Sequence, residues 1–163
     1  MTTIHFTTTT PVEPERIIGA FTDFSPERLR TFPNIHQRYY QVHAVESTSA
    51  DVTEGSAFFG GLWERDHYDW SRPGEITISV QSSNAFTSGS FWHYSIAANE
   101  NGGSKVDFTL QRKGKNLKGQ ALATLIRVFG RRIFRQDLEQ TLKRLAETSP
   151  ATTLREQAGR KGA

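Results

Sequence analysis

Cysteine is absent from the 163 residues, which rules out disulfides, thiolate metal sites and thiol nucleophiles. No stretch approaches the roughly 18 consecutive apolar residues of a membrane span. The opening residues Met1–Phe6 offer neither a basic start nor an apolar core, so no signal peptide is expected. With no cysteine to protect, a cytoplasmic location is expected. Gly-x-Ser-x-Gly, phosphate-loop and dinucleotide fingerprints are missing, and no cofactor is expected. His5, His36, His43, His67 and His93 are scattered without metal-ligand spacing, so no metal is expected either. Acidic residues are also missing from one long stretch. Between Arg112 and Arg135 stand eight basic residues, and the next acid is Asp137. Such a segment suits a solvated helix face or an anionic partner.

What is present has the balance of one ordinary domain, with 36% hydrophobic and 23% charged residues. Ile4 to Thr10 alternate and are rich in β-branched types, which predicts a strand ended by Pro11. Pro14 then suits a first helical position, and Ile17, Ile18, Phe21 and Phe24 recur at helical spacing. Ser25-Pro26-Glu27-Arg28 predicts a second short helix carrying Leu29 and Phe32. From His36 to Arg112 the period is two, with turn residues at regular intervals. Six strands are predicted, over 36–47, 51–59, 62–70, 75–82, 88–98 and 105–112, paired as consecutive antiparallel hairpins.

The last hairpins constrain one another. A three-residue loop before Gly103 sets Ile96 opposite Val106, Tyr94 opposite Phe108 and Trp92 opposite Leu110. A similar loop near Phe86 sets Val80 opposite Trp92, Ile78 opposite Tyr94 and Ile76 opposite Ile96. Nine large side chains then share one face of three strands, and a one-residue slip would invert them all. The turn at Pro73-Gly74 admits two registers. A three-residue loop puts Tyr68 and Trp70 on the dry face, with Glu64 and Asp66 turned inward beside them. A two-residue loop turns Trp63, Arg65, His67 and Asp69 inward instead. The first groups the aromatics and is preferred.

Residues 116–147 form the last element. Leu122, Leu125, Phe129, Ile133, Leu138, Leu142 and Leu145 recur at spacings of three to five. About 30 residues at ~1.5 Å rise give a helix of roughly 45 Å, and Gly119 or Gly130 is a natural place for a bend. The segment 148–163 is expected to be a disordered tail after a domain spanning 1–147. One helix about 10–12 Å wide cannot cover a flat sheet of seven strands spaced about 4.8 Å apart. The sheet must curl around it, leaving a concave, aromatic-rich interior. The fold class is therefore α+β, a curved antiparallel sheet gripping a long C-terminal helix.

This order of elements, with Thr10-Pro11-Val12-Glu13-Pro14-Glu15-Arg16-Ile17, Gly61-Leu62-Trp63-Glu64-Arg65 and Tyr68-Asp69-Trp70, resembles the helix-grip proteins of the START, or SRPBCC, superfamily. The resemblance covers about residues 3–147 and looks most like the bacterial polyketide cyclase or dehydrase-like members. It implies an internal cavity for a lipid, polyketide or other apolar molecule, and its diffuse motifs fix no ligand. The candidate lining is Tyr40, Tyr68, Trp70, Ile78, Trp92, Tyr94, Phe108, Leu125, Phe129 and Ile133. Glu64 and Asp66 are the candidate catalytic pair, since burial of an inward carboxyl raises its pKa toward a useful range; at the mouth they would simply pair with a base. Three functions follow: a carrier of a small apolar ligand, an aromatase/cyclase or dehydratase using the same cavity, or an interaction module acting through the basic helix. Nucleic acid is a weak candidate partner because Phe91 is the sole large aromatic on the outer face. A monomer or weak homodimer is expected.

Overall fold

A computed structural model describes residues 1–148 of the chain. The nine residues of β1, Thr2–Thr10, alternate buried and exposed as their sequence dictates. Two short helices follow, α1 at Pro14–Phe21 with its proline in the first turn, and α2, a single turn at Arg28–Thr31. The remaining strands are β2 Gln41–Val45, β3 Ser49–Ser56, β4 Leu62–Asp69, β5 Glu75–Ser83, β6 Phe91–Ala98 and β7 Ser104–Arg112. All seven form one antiparallel sheet in the order β1-β7-β6-β5-β4-β3-β2. The strand expected to begin at His36 starts instead at Gln41. Residues Gln37–Tyr39 make a 3₁₀ turn opened by His36, whose Nδ1 accepts from Arg38 N at 3.2 Å.

Register follows the expected parity. Trp92 faces Leu110, Tyr94 faces Phe108 and Ile96 faces Val106. Tyr68 faces Ile78 and Asp66 faces Val80, the register of the three-residue loop, so β4 turns Glu64, Asp66 and Tyr68 inward. The β5–β6 pairing corrects the expectation by two residues: Ile76 faces Tyr94 and Ile78 faces Trp92. A two-residue slip preserves side-chain faces, so the interior is unchanged. The slip arises because the β5–β6 connection is not a short turn. Ser83 Oγ accepts from the backbone N–H groups of Ala85 and Phe86, folding this segment inward so that Phe86 is 2% exposed. A β-bulge between Arg65 and Asp66 lets Gln81 and Ser82 both face out and returns Ser83 to the interior.

Asn116 caps the last helical run, its Oδ1 accepting from Gly119 N at 2.9 Å. The run comprises α3 Leu117–Leu125, a π-helical turn Ile126–Gly130 and α4 Arg131–Glu147. Leu122, Leu138 and Leu142 face the sheet as expected. Leu125, Phe129 and Ile133 do not; they are 43%, 56% and 51% exposed. Gly130 takes the contact position instead: a Cβ there would meet Ile4 Cδ1 at 2.5 Å. A stripe drawn through bulky residues lies one residue, about 100°, away from a stripe that uses a glycine. Of the expected tail, only Thr148 falls within the described residues; 149–163 lie outside them. Among the described residues no helix is long and apolar enough to cross a membrane.

Candidate functional site

The inner faces of β6 and β7 supply Trp92, Tyr94 and Phe108; α1 supplies Phe21, the segment after α2 supplies Phe32, Pro33 and Asn34, and α4 supplies Phe134, Leu138 and Thr141. Together they border a recess of about 110 Å³ between sheet and helix. Its walls are rings set mostly edge to face. Trp92 and Phe134 lie 5.3 Å apart at 85°, Phe21 and Tyr94 4.9 Å apart at 64°, and Tyr94 and Phe108 5.2 Å apart. Asp137, Gln140 and Arg144 complete the lining from α4 and are exposed, marking the rim. Burial raises the Tyr94 phenol, so it stays a neutral hydroxyl at physiological pH.

Of the ten expected lining residues, Trp92, Tyr94 and Phe108 border this recess. Tyr40, Tyr68, Trp70 and Ile78 belong to the packed core away from it. The reason is that α1 and α2 fill that end of the sheet. Phe24 packs against Tyr68 at 5.0 Å and Trp70 at 6.1 Å, and receives the Tyr40 hydroxyl at its carbonyl at 2.7 Å. Leu125, Phe129 and Ile133 are on the far side of the helix. Phe134 and the Phe32–Asn34 segment were not expected; Phe134 stands one residue off the stripe, and nothing in a short proline-ended helix marks where it closes against another.

Two polar webs lie behind the aromatics. In the first, Arg28 is 3% exposed. Its Nε pairs with Glu54 Oε1, Nη1 donates to the carbonyls of Phe21 at 3.0 Å and Asp23 at 3.2 Å, and Nη2 donates to Tyr68 Oη at 2.9 Å. Tyr68 Oη donates in turn to Glu54 Oε2 at 2.8 Å. The guanidinium also stacks over Phe24 at 4.6 Å and Phe32 at 4.8 Å. Burial opposes its charge, but Tyr68 and Glu54 outweigh that and hold it protonated. Burial and then Glu54 push the Tyr68 phenol well up. This web bolts the helical bracket to β3 and β4.

In the second, Arg112 Nη2 donates to Glu64 Oε2 at 2.9 Å, both side chains buried, and the guanidinium lies 4.2 Å over Trp92 and 4.9 Å over Phe86. Asp66, 4% exposed, stands beside the pair. Its carboxyl is raised well above the ordinary value by burial first and by the Glu64 charge second, with Arg112 opposing. Glu64 Oε1, Asp66 Oδ1 and Arg112 Nη1 are buried with no hydrogen-bond partner. The arrangement sets a carboxyl that holds its proton more tightly than usual beside a fixed ion pair, a pairing of environments suited to a general acid. Sequence parity already places Arg112 with Val106, Phe108 and Leu110, a signal the strand's last position made easy to overlook. Among the described residues no three His, Asp or Glu side chains gather as a metal site.

No family model matches the chain, and no curated protein matches it in sequence. Solved structures do. The chain is similar to Zhui aromatase/cyclase from Streptomyces sp. R1128 at a TM-score of 0.74 and 10% identity, over 91% of this chain and 96% of that one. It is similar to TTHA0849 from Thermus thermophilus at 0.71 and 14% identity, over 90% and 99%. A START superfamily protein from Mycobacterium smegmatis follows at 0.65 and 16% identity, over 88% and 98%. At these identities the likeness is one of fold: the chain has the helix-grip fold seen in START and aromatase/cyclase structures.

Proposed function

We propose, with the helix-grip fold as premise, that residues 1–147 form a domain that binds a small hydrophobic or aromatic molecule between the sheet and the C-terminal helix. One observation carries the proposal: rings from three separate parts of the chain, β6–β7, the α1–α2 bracket and α4, converge on one recess with a polar rim. At about 110 Å³ the recess is below the ~300 Å³ at which drug-sized pockets begin, and is nearer the ~150 Å³ of a cavity that takes benzene. The ligand is therefore a single ring or chain end held inside with the rest projecting through the rim, or a larger molecule admitted when residues 32–34 move off α4. Such a protein acts as a monomer or weak dimer, and the lack of cysteine suits a cytoplasmic setting.

Native mass spectrometry of freshly purified protein tests this. A hydrophobic adduct of defined mass, displaced in Trp92→Arg, is the expected result. A bare chain that also takes up no aromatic probe would refute it.

The buried trio of Asp66, Glu64 and Arg112 favours a second reading, in which the interior catalyses an aldol cyclisation or dehydration; none of the three lines the recess, so this reading needs a substrate that reaches past Trp92, over which the Arg112 guanidinium lies at 4.2 Å. Asp66 then supplies the proton and Arg112 steadies the developing oxyanion. Asp66→Asn separates the two: a carrier keeps its affinity, whereas an enzyme keeps affinity and loses turnover.

A further inference from the structure

Three residues that sequence periodicity assigned to the interior, Leu125, Phe129 and Ile133, join Val128 in a ridge on the outside. Leu125, Val128, Phe129 and Ile133 are 43%, 65%, 56% and 51% exposed, with Leu125, Phe129 and Ile133 four residues apart along the run that passes through the π turn. Arg127, Arg131 and Arg132 are exposed among them. No acid occurs from 108 to 136. The wall behind this ridge is covered: Gly130 sits against Ile4, and Arg135 folds back over the Phe6 ring at 5.2 Å and pairs with Glu139 at 3.9 Å. The ridge is therefore fixed to the sheet and not free to turn its apolar side inward.

We infer that this ridge docks on an anionic lipid surface. Apolar side chains interleaved with arginines on a helix that lies flat match the interfacial region of a bilayer, where the rings and branched chains enter the acyl boundary and the guanidinium groups meet phosphate. A second copy fits poorly. A two-fold contact sets the same patch against itself, and would oppose Arg127, Arg131 and Arg132 to their own images. Nucleic acid would answer the arginines and leave Val128, Phe129 and Ile133 without apolar partners. A bilayer answers both. The recess rim begins at Asp137, about one helical turn beyond Ile133, so docking brings the mouth close to the membrane; the inference itself does not depend on what the recess binds.

Co-sedimentation of the full chain with vesicles tests it, comparing phosphatidylcholine alone with phosphatidylcholine containing one third phosphatidylglycerol. The account expects binding to the anionic vesicles only, weakened about fivefold for each of Arg127→Gln, Arg131→Gln and Arg132→Gln. It expects Phe129→Ser with Ile133→Ser to weaken binding at least tenfold at every salt concentration. All five positions are exposed, and near-ultraviolet circular dichroism checks that the fold is kept; Val128→Ser gives an independent variant of the same kind. Equal binding to both vesicles, no binding to either, or arginine-dependent binding indifferent to Phe129, Ile133 and Val128 would each overturn the inference. So would a dimer in sedimentation velocity that buries the ridge.

Discussion

Asp66 binds its proton more tightly in the folded chain than in the unfolded one, because burial and the Glu64 carboxylate both penalise its charge. The native state therefore holds more protons than the unfolded state from the ordinary value of 3.8 up to the raised folded value, and stability falls as pH rises through that window. Asn at this position stays neutral throughout. Asp66→Asn should match the parent in acid and gain on it as pH rises, by up to about 1.4 kcal/mol per pH unit within the window; urea unfolding at a series of pH values reads the difference. A gap that closes with rising pH would mean that Arg112 stabilises the carboxylate. Arg28 makes the opposite case, a buried charge fully matched. Arg28→Met should cost about 3–5 kcal/mol, because it strands Glu54, and adding Glu54→Gln should restore part of that loss. Sequence alternation puts Arg112 on the inner face with Val106, Phe108 and Leu110, and puts Glu64 and Asp66 there in the preferred of two registers. It does not say which carboxylate meets which arginine, since Arg28 comes from a helix and Arg112 from the far end of β7.

The C-terminal element shows how packing overrules propensity. Gly119 lies in the first turns of α3, where alanine is favoured by about 1 kcal/mol. A Cβ there would meet the Ala85 carbonyl oxygen at 1.8 Å, and that backbone is pinned by Lys115 N at 2.8 Å. Gly119→Ala should therefore lower stability by about 1–3 kcal/mol, against its propensity, as measured by chemical denaturation. The β6–β7 register was legible because a short Gly-rich turn permits one pairing of Trp92, Tyr94 and Phe108. The β5–β6 register was not, because Ser83 and Phe86 shape a connection whose geometry depends on the helix packed over it. The helix phase was also hidden. A π turn costs no particular residue type, and Gly130 reads as a weak point in a helix until Ile4 is seen against it.

At the scale of the whole molecule, width decides the outcome. Seven strands exceed what one helix covers, so the sheet is closed partly by the helix and partly by the α1–α2 bracket, and the recess is what remains at their junction. This explains why Tyr68 is buried and Tyr40 and Trp70 pack against the core on the bracket's side, while Trp92 and Phe134 border the recess. Ligands larger than one ring should loosen residues 32–34, seen as faster amide exchange there, or leave atoms outside the rim. The most direct test is isotope-filtered NMR of the labelled protein titrated with p-cresol, a single-ring probe. A container at this junction gives saturable one-to-one binding, with intermolecular NOEs from the cresol ring to Trp92, Tyr94 and Phe134. No saturable binding, or NOEs confined to Phe91 and His93 on the outer face of the sheet, would contradict it.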